Sequence, residues 1–288
     1  MAKRSIKSVG LVVKRDRPQA ISTARSLTRW LRARHKTVIA EPEVASAIGA
    51  ERVTRQELAD RSDLIVGLGG DGTLLGVARL AAPRATPILG VNLGGLGFLT
   101  EVGVGEARAC LARVLAGNYQ VDRRITLEAI VERASSDSRG VERFTAVNDL
   151  VLSRGPLGRM LQLEVIADHK PFCSYRADGL IIATPTGSTA YALSAGGPIV
   201  FPSLEVVVLA PICPHTLSNR PVVLPDSFEI EVRVEASDHD ALLSVDGQES
   251  SQLGAADAIR INRAKHAVAL VRSPHPCFEI WRNKLRWG

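Results

Sequence analysis

The sequence of 288 residues is poor in cysteine and in aromatic side chains, and each shortage excludes a class of protein. Its four cysteines, Cys110, Cys173, Cys213 and Cys277, form no CxxC or CxxH pair, which argues against a zinc cage or a dithiol redox centre. Aromatic residues make up 4% of the chain, too few for a surface that stacks nucleic-acid bases. We therefore expect no metal site built from protein ligands and no nucleic-acid partner.

Long apolar runs are also missing. No stretch approaches the roughly 20 residues that cross a bilayer, and the first apolar run ends after Val13 in Lys14, Arg15 and Asp16, too early for the core of a signal peptide. We expect a cytoplasmic protein that does not enter a membrane. The net charge of +6 is a modest excess that suits an anionic substrate.

The first part of the chain alternates two kinds of pattern. Continuous short apolar runs predict buried strands, and apolar residues spaced by three or four predict helices. The predicted strands are 9–13, 37–40, 64–68 and 87–92, and the predicted helices are 19–34, 74–82 and 106–116. Such alternation is typical of βαβ units. We predict a doubly wound α/β domain over residues 1–122.

After residue 122 the segments become short, β-branched and bounded by turns. The predicted strands are 125–132, 143–153, 159–168, 179–184, 205–210, 228–235, 240–246, 257–263 and 266–272. This rhythm is typical of a sandwich of antiparallel strands. We predict a β-rich domain over 123–272, interrupted by a helical stretch at 187–195. The basic tail, 273–288, would pack back on the first domain.

A glycine-rich loop, GGDGT, follows the predicted strand 64–68. Gly67, Gly69 and Gly72 formally satisfy the GxGxxG dinucleotide fingerprint. That fingerprint belongs on the first strand of its unit and needs an acidic residue about 20 positions later, whereas residues 73–100 contain none. A Walker P-loop is excluded as well, because no GK[ST] follows. The loop therefore argues against a Rossmann oxidoreductase.

The chemistry of this loop centres on Asp71. Gly69 and Gly70 let the backbone approach phosphate oxygens, and the N–H groups of the following helix favour anions. A carboxylate at that place repels phosphate, so Asp71 makes sense as a proton acceptor, a hydroxyl ligand or a cation ligand. The alternative is that Asp71 only caps the helix. The residues alone leave both interpretations open.

GGDGT resembles the phosphate-donor motif shared by NAD kinases, diacylglycerol and sphingosine kinases and, more distantly, 6-phosphofructokinases. A second block, ADGLIIATPTGSTAYALSAGGPIV at 177–200, is similar to the NAD kinase signature almost residue for residue. Further similar stretches are 90–100, 147–154, 214–221 and 244–248. Lipid kinases lack the TPTGSTAYALS stretch. The resemblance therefore favours NAD kinases over lipid kinases.

The resemblance implies transfer of the γ-phosphoryl group of ATP to the 2′-hydroxyl of the adenosine ribose of NAD, with Asp71 as proton acceptor. Gly69, Gly70, Gly72 and Thr73 would cradle the donor phosphates, and Mg²⁺ would arrive with the nucleotide. The implied NAD-binding residues are Asp71, Gly72, Asn148, Asp149, Arg159, Arg176, Asp178, Thr189, Ala190, Tyr191, Ala192, Leu193, Ser194 and Gln248. A homodimer or homotetramer is implied as well.

Several of these residues also have plain alternatives. Thr189 could simply cap a helix, Tyr191 could be a core residue, and Arg159 could be a surface arginine. Asp149 stands where the family has Glu, one methylene longer, so its reach to the ribose is open. The competing functions are a lipid kinase and a dinucleotide-binding regulatory protein without catalysis. The acceptance of polyphosphate or NADH is not decided by these motifs, and His215 receives no role.

Overall fold

The computed structural model describes residues 5–94, 97–134, 141–155, 160–216, 218–235 and 241–287. The chain forms two compact units. The first comprises Met1–Arg123 and Ala267–Gly288, and the second comprises Arg124–His266. The chain therefore leaves the first unit once and returns to it.

The first unit is built on a sheet whose helices follow its strands in sequence. Its strands before residue 125 are β1 (Ser8–Val13), β2 (Thr37–Ala40), β3 (Glu51–Arg52), β4 (Leu64–Gly69), β5 (Ile88–Asn92), β6 (Val102–Gly103) and β7 (Val121–Arg124). The helices are α1 (Pro18–Arg32), α2 (Pro42–Ile48), α3 (Arg55–Arg61), α4 (Asp71–Ala81) and α5 (Ala107–Leu115). The short elements α2, β3 and α3 were not predicted.

Helices cover this sheet on both faces. On one face Leu11 and Val66 join a core with Leu27 of α1 and Leu111 of α5. On the other face glycines let helices come close: a Cβ at Gly10 would lie 2.8 Å from a Leu58 methyl of α3, and a Cβ at Gly67 would lie 2.1 Å from a Leu74 methyl of α4. The strands run parallel in the order β3-β2-β1-β4-β5. The predicted doubly wound α/β fold is thus confirmed.

The second unit consists of two six-stranded sheets. Its strands are β8 (Leu127–Glu132), β9 (Glu142–Ala146), β10 (Asp149–Arg154), β11 (Leu161–Ala167), β12 (Lys170–Ala177), β13 (Gly179–Ala183), β14 (Val206–Ile212), β15 (Val222–Pro225), β16 (Ile230–Val234), β17 (Ala241–Val245), β18 (Glu249–Leu253) and β19 (Ala258–Arg263), and its helix is α6 (Tyr191–Ser194). The sheet orders are β15-β14-β13-β10-β17-β18 and β12-β11-β16-β19-β8-β9. One core contains side chains of both sheets, so the predicted β-rich sandwich is confirmed.

The predicted strand 143–153 is two strands in different sheets. β9 pairs with β8, and β10 pairs with β13 and β17. The chain changes sheets at Val147 and Asn148, where backbone N–H groups donate to the Asp246 carboxylate. Because those groups bond a side chain, they cannot continue a ladder. This break between β9 and β10 lies in the region that the sequence predicts to bind NAD.

The chain returns to the first unit in strand β20 (Val268–Val271) and helix α7 (Cys277–Leu285). Residues 266–272 were predicted to belong to the second domain, but β20 pairs in parallel with β5 of the first unit, with Leu270 opposite Ile88. All four of its residues are buried. Such continuous burial is typical of a strand in a sheet covered on both faces, whereas a strand of a sandwich has one face exposed to solvent.

Candidate active site

The GGDGT loop joins β4 to α4, and Asp71 is the first residue of that helix. The N-cap residue is Gly70, and no side chain caps this end of the helix. The interpretation of Asp71 as a cap is therefore wrong. The helix also begins three residues earlier than predicted, since Asp71, Gly72 and Thr73 already belong to it and follow the extended backbone of Gly70.

The Asp71 carboxylate faces a turn that follows β5. Oδ1 accepts hydrogen bonds from the backbone N–H of Leu99 (3.1 Å) and from both the N–H (3.0 Å) and the hydroxyl (2.9 Å) of Thr100. Oδ2 accepts one from the N–H of Phe98 at 3.0 Å. Four donors thus fix the orientation of this side chain. The sequence block 90–100, noted only for its resemblance, supplies all of them.

The glycines of the loop differ in what surrounds them. A Cβ at Gly69 would lie 2.3 Å from the Thr73 hydroxyl, so this glycine is needed for packing inside the turn. A Cβ at Gly70 or Gly72 would meet no atom within 4 Å. Open space beside the N-terminus of a helix is where backbone N–H groups can receive an anion. The loop therefore leaves open space beside Asp71 at the start of the helix.

A second group of predicted residues meets at one edge of the second unit. Strand β10 begins at Asp149, opposite Ala183, where β13 ends, and its second residue, Leu150, lies opposite Val245, where β17 ends. Because these neighbours are antiparallel, the start of β10 lies between the ends of the other two strands. The turns before β10, after β13 and after β17 therefore lie side by side.

Asp246 joins two of these turns. Its carboxylate accepts hydrogen bonds from the N–H groups of Val147, Asn148 and Asp149, at 2.8–3.2 Å. Its own N–H donates to the carbonyl of Asp149 at 3.0 Å. Asp246 thereby holds the Asn148–Asp149 pair in place. The surrounding SVDGQ block resembles the family, but the role of Asp246 could not be predicted, because it depends on contacts with residues 97–99 positions away.

Asp149 is a buried carboxyl group beside a second carboxylate. Its exposed fraction is 5%. Burial and, after it, the charge of Asp246 raise the pKa of Asp149 to about 7. Near neutral pH this group therefore changes between the neutral form and the carboxylate.

This raised pKa predicts a pH-dependent stability. The folded protein binds the proton more tightly than the unfolded chain, so stability is fully present below the ordinary aspartate pKa and is lost as the pH rises through about 7. Asp149→Asn removes the buried charge, and we expect it to be more stable than the parent at pH 8 by roughly 2–4 kcal/mol, with no gain at pH 4. Urea unfolding at the two pH values measures this. Equal gains at both values would contradict it.

The TPTGST segment lies against the backbone of Asn148. The Thr184 N–H donates to the Asn148 carbonyl at 2.8 Å, and its hydroxyl donates to the Val147 carbonyl at 2.6 Å. A Cβ at Gly187 would lie 2.1 Å from that Asn148 carbonyl oxygen. Ser188 fixes the position of the segment, because its hydroxyl accepts a hydrogen bond from the Val200 N–H at 3.0 Å. Thr184, Gly187 and Ser188 therefore build the turn.

Two polar atoms at this edge are buried and have no hydrogen-bond partner among the described residues. They are Oδ1 of Asn148 and Oγ1 of Thr186. Buried polar atoms are nearly always paired, so unpaired ones call for a ligand or water. Asn148 was predicted as an NAD contact, whereas Thr186 was not. Thr186 stands in the quoted motif, but its hydroxyl could not be told from its neighbours before the turn was seen.

The predicted helix 187–195 is a 3-10 turn, Gly187–Thr189, followed by the one-turn helix α6. Ala192 is fully buried in a small core with Ile181 and Val208, which anchors the segment on the outer face of the sheet. Tyr191 is 48% exposed, so its interpretation as a core residue is wrong. The Thr189 hydroxyl donates to the Thr186 carbonyl at 3.2 Å.

The structure does not bring Arg176 and Asp178 to this edge. They precede β13, whereas Asn148 and the TPTGST turn lie at its other end, roughly 15 Å away at 3.4 Å per residue. The Asp178 carboxylate accepts from Arg154 at 2.8 Å, and Arg176 is exposed. Gln248 does lie on the turn that contains Asp246, and its N–H donates a hydrogen bond to the Val245 carbonyl. Arg159 falls outside the described residues.

The described part of the chain contains no group of three or more His, Cys, Asp or Glu side chains that could hold a metal ion. No helix in it has the length and apolar character to cross a membrane.

A helix start with open space and a fixed carboxylate beside it is an arrangement that a phosphoryl-transfer enzyme can use, because this chemistry depends on holding the donor phosphates and the acceptor in position. Family models of the ATP-NAD kinase N-terminal domain and of the ATP-NAD kinase C-terminal domain match residues 9–119 and 147–273. The chain belongs to the NAD kinase family.

Relatives and solved structures agree with this family. An NAD kinase of Syntrophotalea carbinolica is 43% identical over 286 residues, which cover 98% of this chain and 99% of the relative. The crystal structure of yeast NADH kinase with NADH has a TM-score of 0.91 at 29% identity, covering 99% of this chain and 88% of that one. The crystal structure of an NAD kinase from Archaeoglobus fulgidus with ATP has a TM-score of 0.74 at 26% identity, covering 97% and 96%.

Proposed function

We propose that this protein transfers the γ-phosphoryl group of ATP to the 2′-hydroxyl of the adenosine ribose of NAD, which gives NADP and ADP. The observation that carries the proposal is the pairing of open space at Gly70 and Gly72, where α4 begins, with a carboxylate held beside it by four donors. Phosphoryl transfer depends mainly on positioning and on charge compensation. Asp71 would orient the 2′-hydroxyl and accept its proton.

The acceptor would be bound by the edge where the three turns meet. The unpaired Oδ1 of Asn148 can accept from an adenine amino group, and the unpaired Thr186 hydroxyl can bond the base or ribose. Asp149 would accept from ribose hydroxyls, and the exposed ring of Tyr191 offers an apolar face to a purine. The other predicted contacts of this edge are Thr189, Ala190, Leu193, Ser194 and Gln248, while Ala192 anchors the segment.

The proposed donor is ATP, which would bring Mg²⁺ with it. Gly69, Gly70, Gly72 and Thr73 would receive its phosphates through backbone N–H groups and a hydroxyl. The phosphates themselves and water would supply the oxygen ligands that Mg²⁺ prefers, and the cation would offset the charge of the phosphates.

We propose a homodimer or homotetramer, as the resemblance implies. Arg176 and Asp178 lie at the opposite end of β13 from Asn148, so they would reach NAD only when it is bound by another copy of the chain. Sedimentation equilibrium that showed monomers alone would contradict this. The cytoplasmic location stays a prediction.

A steady-state assay tests the reaction. Purified protein with NAD, ATP and Mg²⁺ is expected to form NADP, detected by an NADP-specific dehydrogenase. A parallel reaction with polyphosphate identifies the donor. Another with NADH tests the acceptor named for the yeast relative, with NADPH read by its fluorescence after destruction of residual NADH. A folded protein that binds NAD but forms no product with either donor would favour the regulatory alternative.

A further inference from the structure

Three polar side chains of the first unit form a chain of hydrogen bonds that ends on Asp71. The Nδ2 of Asn92 donates to the Thr100 hydroxyl at 2.7 Å, and this hydroxyl donates to Oδ1 of Asp71 at 2.9 Å. We propose that Thr100, whose hydroxyl is oriented by Asn92, is a positioning residue that presents Oδ2 of Asp71 to the acceptor hydroxyl. This inference rests on the proposed role of Asp71 as proton acceptor.

The fold places these residues together. Asn92 is the last residue of β5 and lies opposite Gly69, the last residue of β4. The register of these two parallel strands therefore places the turn after β5 beside the GGDGT loop. Thr100 is fully buried and Asn92 is 8% exposed, so water does not compete strongly for their hydrogen bonds.

Two glycines allow this turn to lie close to the Asp71 carboxylate. A Cβ at Gly97 would lie 2.2 Å from Oδ1 of Asp71 and 2.4 Å from the Thr100 hydroxyl oxygen. A Cβ at Gly90 would lie 2.6 Å from the Leu99 carbonyl oxygen and 2.9 Å from the Thr100 Cα. Side chains at either position would push the turn off the carboxylate. The close approach is thus built into the sequence at two separate places.

The direction of the hydrogen bonds is fixed by Asn92. Its Oδ1 accepts from the Gly94 N–H at 2.8 Å, so its Nδ2 must be the atom that faces Thr100. A hydroxyl has a single proton to donate. Because the Thr100 oxygen already accepts from Nδ2, its proton is directed to Asp71.

The consequence for Asp71 is an asymmetric carboxylate. Among the described residues, Oδ1 receives three donors, whereas Oδ2 receives one. A carboxylate offers about four lone-pair sites over its two oxygens. The site that can still accept a hydrogen bond therefore lies on Oδ2. In the reaction the 2′-oxygen forms its bond to the γ-phosphorus, the bond from this phosphorus to the bridging oxygen breaks, ADP leaves, and the 2′-proton passes to Oδ2.

The test is a pair of substitutions at Thr100. Thr100→Val keeps the shape and removes the hydroxyl, and we expect kcat to fall by about 10- to 100-fold, the effect of one lost hydrogen bond to a charged group. KM for NAD and KM for ATP should stay within twofold. Thr100→Ser restores the donor, and we expect kcat within threefold of the parent.

Two further variants control the experiment. Thr28 is another buried threonine, whose hydroxyl donates to the Ala24 carbonyl inside α1. Thr28→Val should leave kcat within twofold, whatever it does to thermal stability. Asn92→Asp replaces the donor by an acceptor that takes the Thr100 proton for itself, and kcat should fall as in Thr100→Val.

The outcomes separate this inference from the proposed role of Asp71. If Asp71→Asn abolishes turnover while Thr100→Val retains kcat, the positioning role is overturned and the role of Asp71 stands. If Asp71→Asn itself keeps full kcat, the proposed role of Asp71 fails and the inference fails with it. A Thr100→Val variant that raises KM but keeps kcat would also overturn the positioning role.

Discussion

Replacing Asp71 by Asn is expected to lower kcat by about 10²–10⁴, the usual contribution of a general base, while NAD binding stays within about threefold. The amide keeps one oxygen, which the donors from Leu99 and Thr100 will hold. Its nitrogen then stands at the place of Oδ2, where it cannot accept from the Phe98 N–H and presents a donor to the 2′-hydroxyl. Steady-state kinetics and isothermal titration with NAD measure the two effects.

Asp63→Asn is the matched control for this change. Asp63 belongs to the same unit, and its carboxylate accepts from the backbone N–H of Lys7 and of Ser8. We expect kcat within twofold of the parent. Weaker NAD binding together with an unchanged kcat in Asp71→Asn would mean that Asp71 binds the acceptor without taking part in the chemistry.

Gly187→Ala is expected to raise KM for NAD by at least tenfold and to lower stability by about 1–3 kcal/mol, the cost of an overpacked site. The new Cβ would lie 2.1 Å from the Asn148 carbonyl oxygen and 2.5 Å from its carbonyl carbon. These are backbone atoms, so the two turns must separate. Because the Asn148 side chain moves with its backbone, the proposed contact to adenine is lost.

Gly105→Ala is the control for this prediction. Gly105 lies in a 3-10 helix of the first unit, and a Cβ there would meet nothing within 4 Å. We expect unchanged KM and stability within about 0.5 kcal/mol. If Gly187→Ala unfolds at the parent temperature and binds NAD normally, then the TPTGST turn has no part in acceptor binding.

The local patterns of the chain determined the fold class and the location of the chemistry. Continuous apolar runs identified parallel strands that are covered on both faces, and short, β-branched segments bounded by turns identified strands of the sandwich. GGDGT marked the anion loop because glycine and a helix start are both local features. The 177–200 block marked the family for the same reason.

The tertiary structure alone decided which residues hold these local features in place. Asp246 fixes the Asn148–Asp149 pair across 97–99 positions of sequence, and Thr100 fixes Asp71 across 29. It also assigned β20 to the first sheet, because its partner β5 lies far away in the sequence. Such contacts depend on strand register and on close packing at glycines, and neither leaves a periodic signal in a single sequence.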